Sequence, residues 1–103
     1  MQNITAEELK KRIDDGETLN LLDVREPHER AAFNIGGEHI PLGAIQTMQV
    51  DGIEDWKDQE VIVYCRSGNR SGQAAMILET MGFGNVKNLA GGMLKWEELY
   101  GNK

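Results

Sequence analysis

The chain has 103 residues, of which 40% are hydrophobic and 27% are charged. This length and composition suit one domain with one buried core, which we expect to cover residues 1–103, rather than a disordered or rod-like chain. No apolar run approaches the ~20 residues that a membrane-spanning helix needs, so we expect no membrane partner. The first residues lack a basic stretch followed by an apolar one, so we also expect no secretory signal.

The net charge of the chain is -6 at pH 7, and it is unevenly distributed. Residues 1–60 contain 14 acidic and 6 basic residues, whereas residues 61–103 contain 3 and 5. We therefore expect no nucleic-acid partner, because phosphate binding needs a basic surface. Arg66 and Arg70 follow closely on Cys65, and this small cationic patch favours a small anion as the ligand.

Cys65 is the single cysteine of the chain. One cysteine cannot form an internal disulfide, so the fold does not require an oxidising compartment, and we expect a cytoplasmic protein. The two histidines, His28 and His39, do not have metal-ligand spacing with Cys65, and zinc prefers four nitrogen or sulfur ligands. The sequence therefore predicts no metal and no cofactor, with surface or packing roles for both histidines.

The first half of the chain alternates helix and strand signals. Thr5 and Glu8 have the spacing of a capping box, which predicts a helix that begins after Thr5 and ends at Gly16. The pattern then predicts, in order, a buried strand, a short helix, a very short strand and an irregular or weakly helical segment, at residues 18–24, 27–33, 39–40 and 44–58.

The second half contains the strongest strand signal, Val61–Tyr64, which is β-branched and apolar as a central parallel strand should be. The pattern then predicts a helix over 71–81 that ends at Gly82, a strand over 86–89 and a last helix after Gly91. This alternation indicates an α/β fold with a single open, mostly parallel sheet of about five strands and helices on both faces. Ligands of such sheets bind beyond the carboxyl ends of the strands, which is where Cys65 lies.

The loop after the central strand predicts a reactive cysteine. If the polar segment Arg66–Ser71 curls around the sulfur, its backbone N–H groups and the start of the next helix would supply a fixed positive potential. We therefore expect the pKa of Cys65 to lie below the free value of about 8.5, so that the thiolate is a nucleophile without a separate base. The alternative is a small buried hydrophobic residue, but such a corner would not need two arginines, a glycine and two serines.

Three segments, Leu21–Glu29, Tyr64–Ser71 and Asn88–Trp96, resemble the rhodanese family of sulfurtransferases. The first resembles its D-V-R-E-P stretch, the second its active-site loop, and the third its L-x-G-G-x-x-x-W segment. They occur in the family's order and span almost the whole chain. The resemblance implies a rhodanese-like fold and a two-step sulfur shuttle.

In that shuttle Cys65 takes a sulfane sulfur from a small anionic donor such as thiosulfate and carries it as a persulfide. The acceptor would be a thiol, cyanide or a sulfur-carrier protein. The resemblance implies that the loop binds the donor, with Arg66 favoured slightly over Arg70 for the donor's sulfonate. The expected substrate-binding residues are Arg66, Ser67, Gly68, Asn69, Arg70 and Ser71.

Two alternatives remain at this point. Cysteine phosphatases and arsenate reductases use a similar loop, but they place arginine six positions after cysteine, where this chain has Ser71. A carrier or interaction module could also pass sulfur between proteins without turning over thiosulfate.

We expect Asp23 and Arg25 to be structural near the site, as an ion pair or as a cap for a neighbouring loop.

Overall fold

A computed structural model describes residues 1–101 and contains five strands in one parallel sheet. The strand order is β1-β5-β4-β2-β3, which confirms the predicted α/β class and the strand number. The strands are β1 (Gln2–Ile4), β2 (Leu21–Asp23), β3 (Glu38–His39), β4 (Glu60–Tyr64) and β5 (Asn85–Leu89). The first strand was not predicted, because it is three residues long and begins with the polar pair Gln2-Asn3.

The helices refine the expected boundaries. They are α1 (Ala6–Asp14), α2 (Pro27–Ala32), α3 (Leu42–Gln46), α4 (Asn69–Thr80) and α5 (Gly92–Tyr100), with a 3-10 helix at Asp51–Trp56. The segment 44–58, expected to be irregular or weakly helical, thus contains the end of α3 and the 3-10 helix. The helix after the cysteine loop begins two residues earlier than predicted, which shortens the loop.

Local capping interactions explain where α1 begins and where α4 ends. Thr5 accepts a hydrogen bond from the Glu8 N–H, and the Glu8 side chain accepts one from the Thr5 N–H, which confirms the capping box of α1. At the end of α4, Gly82 has a left-handed φ of 101° and the Phe83 N–H donates to the Leu78 carbonyl. Phe83 is buried against the core, as expected for a residue that closes a helix.

The central strand β4 separates two apolar clusters. Val61 and Val63 point to the side covered by α3 and α4, whereas Ile62 and Tyr64 point to the side covered by α1 and α5. All four are fully buried, which is why the strand is apolar throughout rather than alternating. The sheet therefore has helices on both faces, as predicted.

The topology brings three chain segments together at the carboxyl edge of the sheet. Strand β4 lies between β2 and β5, so the residues after Asp23, Tyr64 and Leu89 leave the sheet side by side. Each segment belongs to one of the three sequence motifs. Within residues 1–101, no helix has both the length and the apolar character needed to cross a bilayer.

A cluster of charged side chains stabilises the other end of the sheet, at the start of the central strand. Glu60, at the start of β4, accepts hydrogen bonds from Arg12 of α1 at 2.6 and 3.1 Å and from Lys87 of β5 at 2.6 Å. The Arg12 hydrogen bonds, reinforced by Lys87, lower the pKa of Glu60 to about 2. A carboxylate whose pKa is lowered by folding stabilises the fold above its unfolded pKa, and this contribution is lost as the pH falls toward 2.

We therefore predict that Glu60→Gln lowers the free energy of unfolding at pH 7 by about 1 kcal/mol, because three charge-assisted hydrogen bonds weaken. The deficit relative to the parent protein should shrink as the pH falls from about 4.5 toward 2. Urea unfolding at several pH values measures both effects. Glu54→Gln, at an exposed acid of the 3-10 helix, is the matched control. Equal deficits for the two variants would show that the cluster does not stabilise the sheet.

Candidate active site

The cysteine loop is a tight connection between β4 and α4. Cys65 directly follows the last residue of β4, and α4 begins at Asn69, four residues after the cysteine rather than the expected six. Gly68 caps the helix with a left-handed φ of 101°, a backbone conformation that favours glycine. The turn at Gly68 bends the chain back over the sulfur.

Backbone and side-chain groups surround the Cys65 Sγ. The Gly68 N–H donates to Sγ at 3.1 Å, the Ser71 N–H donates at 3.3 Å, and the Ser71 hydroxyl oxygen lies 3.3 Å away. Burial raises the pKa of Cys65, but hydrogen bonds from the side chain and N–H of Ser71, with the N–H groups of Gly68 and Ser67, outweigh it and lower the pKa below its ordinary value. This is the direction that the sequence predicts.

The sulfur is also buried, which corrects one expectation. The polar loop predicts a reactive cysteine rather than a small buried hydrophobic residue, yet Cys65 has no exposed surface and belongs to the apolar cluster beneath α3 and α4. The cause is the short loop, which packs its own backbone over the side chain. Cys65 thus combines the apolar packing of a structural cysteine with the polar contacts of a reactive one.

The start of α5 orients the loop. The Met93 N–H donates to the Cys65 carbonyl and the Leu94 N–H donates to the Arg66 carbonyl, both at 2.9 Å. These carbonyl oxygens are therefore held toward α5, away from the sulfur. Gly92 allows this approach, because a Cβ there would lie 2.5 Å from both carbonyl oxygens. The second glycine of the pair in the third motif is thus explained by the close contact between the two segments.

The two loop arginines have different surroundings. Both nitrogens at the end of Arg70 donate to Glu29 of α2, at 2.7 and 2.9 Å, and this pairing lowers the pKa of Glu29 to about 2. Arg66 is exposed, and among the ion pairs of residues 1–101 none involves it. It lines a cleft of about 220 Å³ beside the loop, and the lining residues are Arg25, Glu29, Ala32, Phe33, Arg66, Met93 and Glu97.

Asp23 and Arg25 form a buried ion pair at the end of β2. The Arg25 Nε and Nη2 donate to the two carboxylate oxygens of Asp23 at 2.9 and 3.0 Å. Arg25 Nη2 also donates to the Phe33 carbonyl at 2.6 Å, so the pair fastens the chain that follows α2. The ring of His39 contacts the Arg25 carbonyl, whereas His28 is exposed.

Among the remaining loop residues, Ser67 and Asn69 are exposed, whereas Ser71 is fully buried on the sulfur. Asn88 of β5, which was not among the predicted site residues, is buried and contacts both Ser71 and Gly68. The sequence carried only a weak signal, a polar residue within a short predicted strand, and the pairing of Asn88 with Val63 is visible only in the structure. Buried polar residues need partners, which indicates a structural or functional contact.

The arrangement defines a class of protein: a parallel α/β fold with a buried, amide-lined cysteine at the end of its central strand. Residues 5–99 match the Rhodanese-like domain family. The chain belongs to the rhodanese-like domain family.

Several known proteins are similar to this chain. It is 38% identical over 97 residues to a protein of Allochromatium vinosum named sulfurtransferase, with 93% of this chain and 88% of that protein covered. It is also 38% identical over 94 residues to YrkF of Bacillus subtilis, which is provisionally named a sulfur carrier protein. That alignment covers 90% of this chain but only 49% of YrkF. A rhodanese-like domain protein of Staphylococcus aureus has a similar crystal structure, with a TM-score of 0.80, 28% identity and coverage of 93% and 91%.

The Gly92 contact yields a stability prediction. Gly92→Ala should lower the free energy of unfolding by at least about 3 kcal/mol, because its Cβ would clash with two backbone oxygens that cannot move freely. Gly16→Ala is the matched control: its φ is also left-handed, at 82°, but nothing lies within 4 Å of the added Cβ. That control should cost about 1 kcal/mol. Thermal and urea unfolding measure both, and similar losses would show that the contact with the cysteine loop is not tight.

Proposed function

We propose that this protein is a sulfurtransferase that carries sulfane sulfur on Cys65 as a persulfide. The observation that carries the proposal is the set of N–H groups on the Cys65 Sγ at the carboxyl end of β4. These donors favour an anionic sulfur, which is both the attacking group and the product of transfer. Relatives named as a sulfurtransferase and, provisionally, a sulfur carrier support the same chemistry.

The proposed reaction has two balanced steps. The Cys65 thiolate attacks the outer sulfur of thiosulfate, an S–S bond forms to Cys65, and the original S–S bond breaks with its electron pair leaving on sulfite. A cyanide ion, or the thiolate of a small molecule or of a sulfur-carrier protein, then attacks the terminal sulfur. The Cys65–S bond breaks, and its electron pair restores the thiolate. No external oxidant or cofactor enters either step.

Arg66 and Arg70 have different roles in this proposal. Arg66 lines the cleft and would hold the sulfonate of the donor through charge-assisted hydrogen bonds. Arg70 is engaged by Glu29 and would brace the loop instead. The same pairing disfavours a phosphatase reaction, since the arginine nearest the phosphatase position is already neutralised by a carboxylate. A free, uncrosslinked Cys65 also suits a reducing compartment such as the cytoplasm.

Intact-mass measurement tests the proposal. Incubation with thiosulfate should add about 32 Da to the protein, and dithiothreitol should remove it, because one sulfur atom is held covalently on Cys65. Cys65→Ser, which keeps a similar size, should show no addition and no thiosulfate:cyanide turnover. A parent protein that gains no mass with thiosulfate, a polysulfide or a persulfide donor would overturn sulfur transfer, and addition to the serine variant would overturn the role of Cys65.

The assignment of the arginines gives a separate prediction. Arg66→Ala should raise the KM for thiosulfate by ~10-fold or more while kcat changes less than threefold, because it removes a binding contact outside the reacting atoms. Lys11→Ala, which removes an exposed charge from α1, controls for net charge and should leave both constants unchanged. Steady-state kinetics measure both constants, and a loss confined to kcat would contradict a donor-binding role for Arg66.

A further inference from the structure

Two acceptors compete for one hydrogen beside the cysteine. The Ser71 hydroxyl oxygen lies 3.3 Å from the Cys65 Sγ and 2.5 Å from the Asn88 Oδ1. A serine hydroxyl carries one hydrogen and two lone pairs, so it can donate to only one of them at a time. All three residues are buried. The direction of this one hydrogen therefore determines what the sulfur receives.

The orientation of the Asn88 amide fixes the preferred direction. Its Nδ2 donates to the Gly68 carbonyl at 3.1 Å, and a carbonyl oxygen can only accept. Rotating the amide by half a turn would place two acceptors against each other there, so Oδ1 must face Ser71. The short contact between two oxygens at that end requires a hydrogen between them. While Cys65 is a thiol, the Ser71 hydroxyl thus donates to Asn88 and turns a lone pair toward the sulfur, and it can donate to a thiolate only by giving up Asn88.

This direction suits the thiol better than the thiolate. When Cys65 is protonated, its S–H can donate to the Ser71 oxygen, which in turn donates to Asn88, so all three groups are satisfied. When Cys65 ionises, the sulfur faces a lone pair unless the hydroxyl rotates toward it. Rotation would leave the buried Oδ1 of Asn88 without a donor, which is unfavourable.

We propose that Asn88 is a positioning residue that holds the hydroxyl hydrogen of Ser71 away from Cys65 and thereby limits the acidity of the thiol. The loop N–H groups favour the thiolate, and Asn88 acts in the opposite direction through Ser71. The balance has a chemical use, because a thiolate loses nucleophilicity as its thiol becomes more acidic, and the best attacking thiol titrates near the ambient pH. The inference rests on the proposed function only in taking Cys65 as the working group.

One charged group interacts electrostatically with the sulfur, and others line the neighbouring cleft. Arg70, at the start of α4, is coupled electrostatically to Cys65 and is paired with Glu29 of α2. The neighbouring cleft is lined by further charged groups from the end of β2, the loop and α5, which are Arg25, Arg66 and Glu97. None of these groups is changed in the variants below, so differences between the variants do not come from the loss of a charged side chain.

The test is a titration of Cys65 by the ultraviolet absorbance of its thiolate, which needs no sulfur transfer. Because the chain has one cysteine, subtracting the spectrum of Cys65→Ser leaves the signal of this group alone. Asn88→Ala should raise the ionisation constant of Cys65 by ~3- to 10-fold, since the hydroxyl becomes free to donate to the sulfur. Ser71→Ala, which keeps the Ser71 N–H, should lower it, because the thiolate then loses the hydroxyl donor that can rotate toward it.

The double variant Ser71→Ala/Asn88→Ala should titrate like Ser71→Ala, because Asn88 acts only through the hydroxyl. An unchanged or higher titration midpoint in Asn88→Ala would overturn the proposal. An effect of Asn88→Ala that persists in the Ser71→Ala background would also overturn it, and would assign Asn88 to bracing Gly68. Failure of sulfur transfer with this titration pattern intact would reject the proposed function and leave this inference standing.

A second measurement does not require a folded Asn88 variant. In the parent protein, the nuclear magnetic resonance shift of the Asn88 side-chain carbonyl carbon should follow the titration of Cys65, because the hydroxyl hydrogen leaves Oδ1 as the thiolate forms. The change should be clearly smaller in Ser71→Ala, where only the distant charge is felt. Equal changes in the two proteins would contradict the transfer of the hydrogen between acceptors.

Discussion

The structure depends on the balance between two opposing effects at the carboxyl end of β4. Burial of the Cys65 sulfur disfavours the thiolate, whereas hydrogen-bond donors of the loop favour the thiolate. The sulfur has no exposed surface, yet the N–H groups of Gly68 and Ser71 point at it. In such a setting hydrogen bonds act in a low dielectric, so fixed donors count for more than they would in water. The outcome is a thiol that is more acidic than an ordinary one despite being enclosed.

The rest of the fold holds those donors in place. N–H groups in the first turn of α5 donate to the Cys65 and Arg66 carbonyls, which holds these two carbonyl groups toward α5. Glu29 of α2 holds Arg70 at the start of α4, and the buried pair of Asp23 and Arg25 fastens the chain that follows α2. Three motifs far apart in sequence thus act on one loop, because parallel strands deliver their carboxyl ends to the same edge.

Sequence reasoning succeeded where local chemistry dictates structure. The capping box at Thr5, the apolar strand Val61–Tyr64 and the glycine that ends α4 each follow from short-range rules. Reasoning from sequence failed for β1, whose polar residues gain strand structure only by pairing with β5. The burial of Cys65 and the contacts of Asn88 were also missed, because both depend on distances between segments that the sequence does not contain.

The central claim is that the loop donors overcome burial at Cys65. The most direct test is a spectroscopic pH titration of the thiolate in the unmodified protein, with the Cys65→Ser spectrum subtracted. The account predicts a titration midpoint below the value of about 8.5 that is typical of a free cysteine. A midpoint at or above that value would mean that apolar packing dominates, and Cys65 would then be a structural residue of the core.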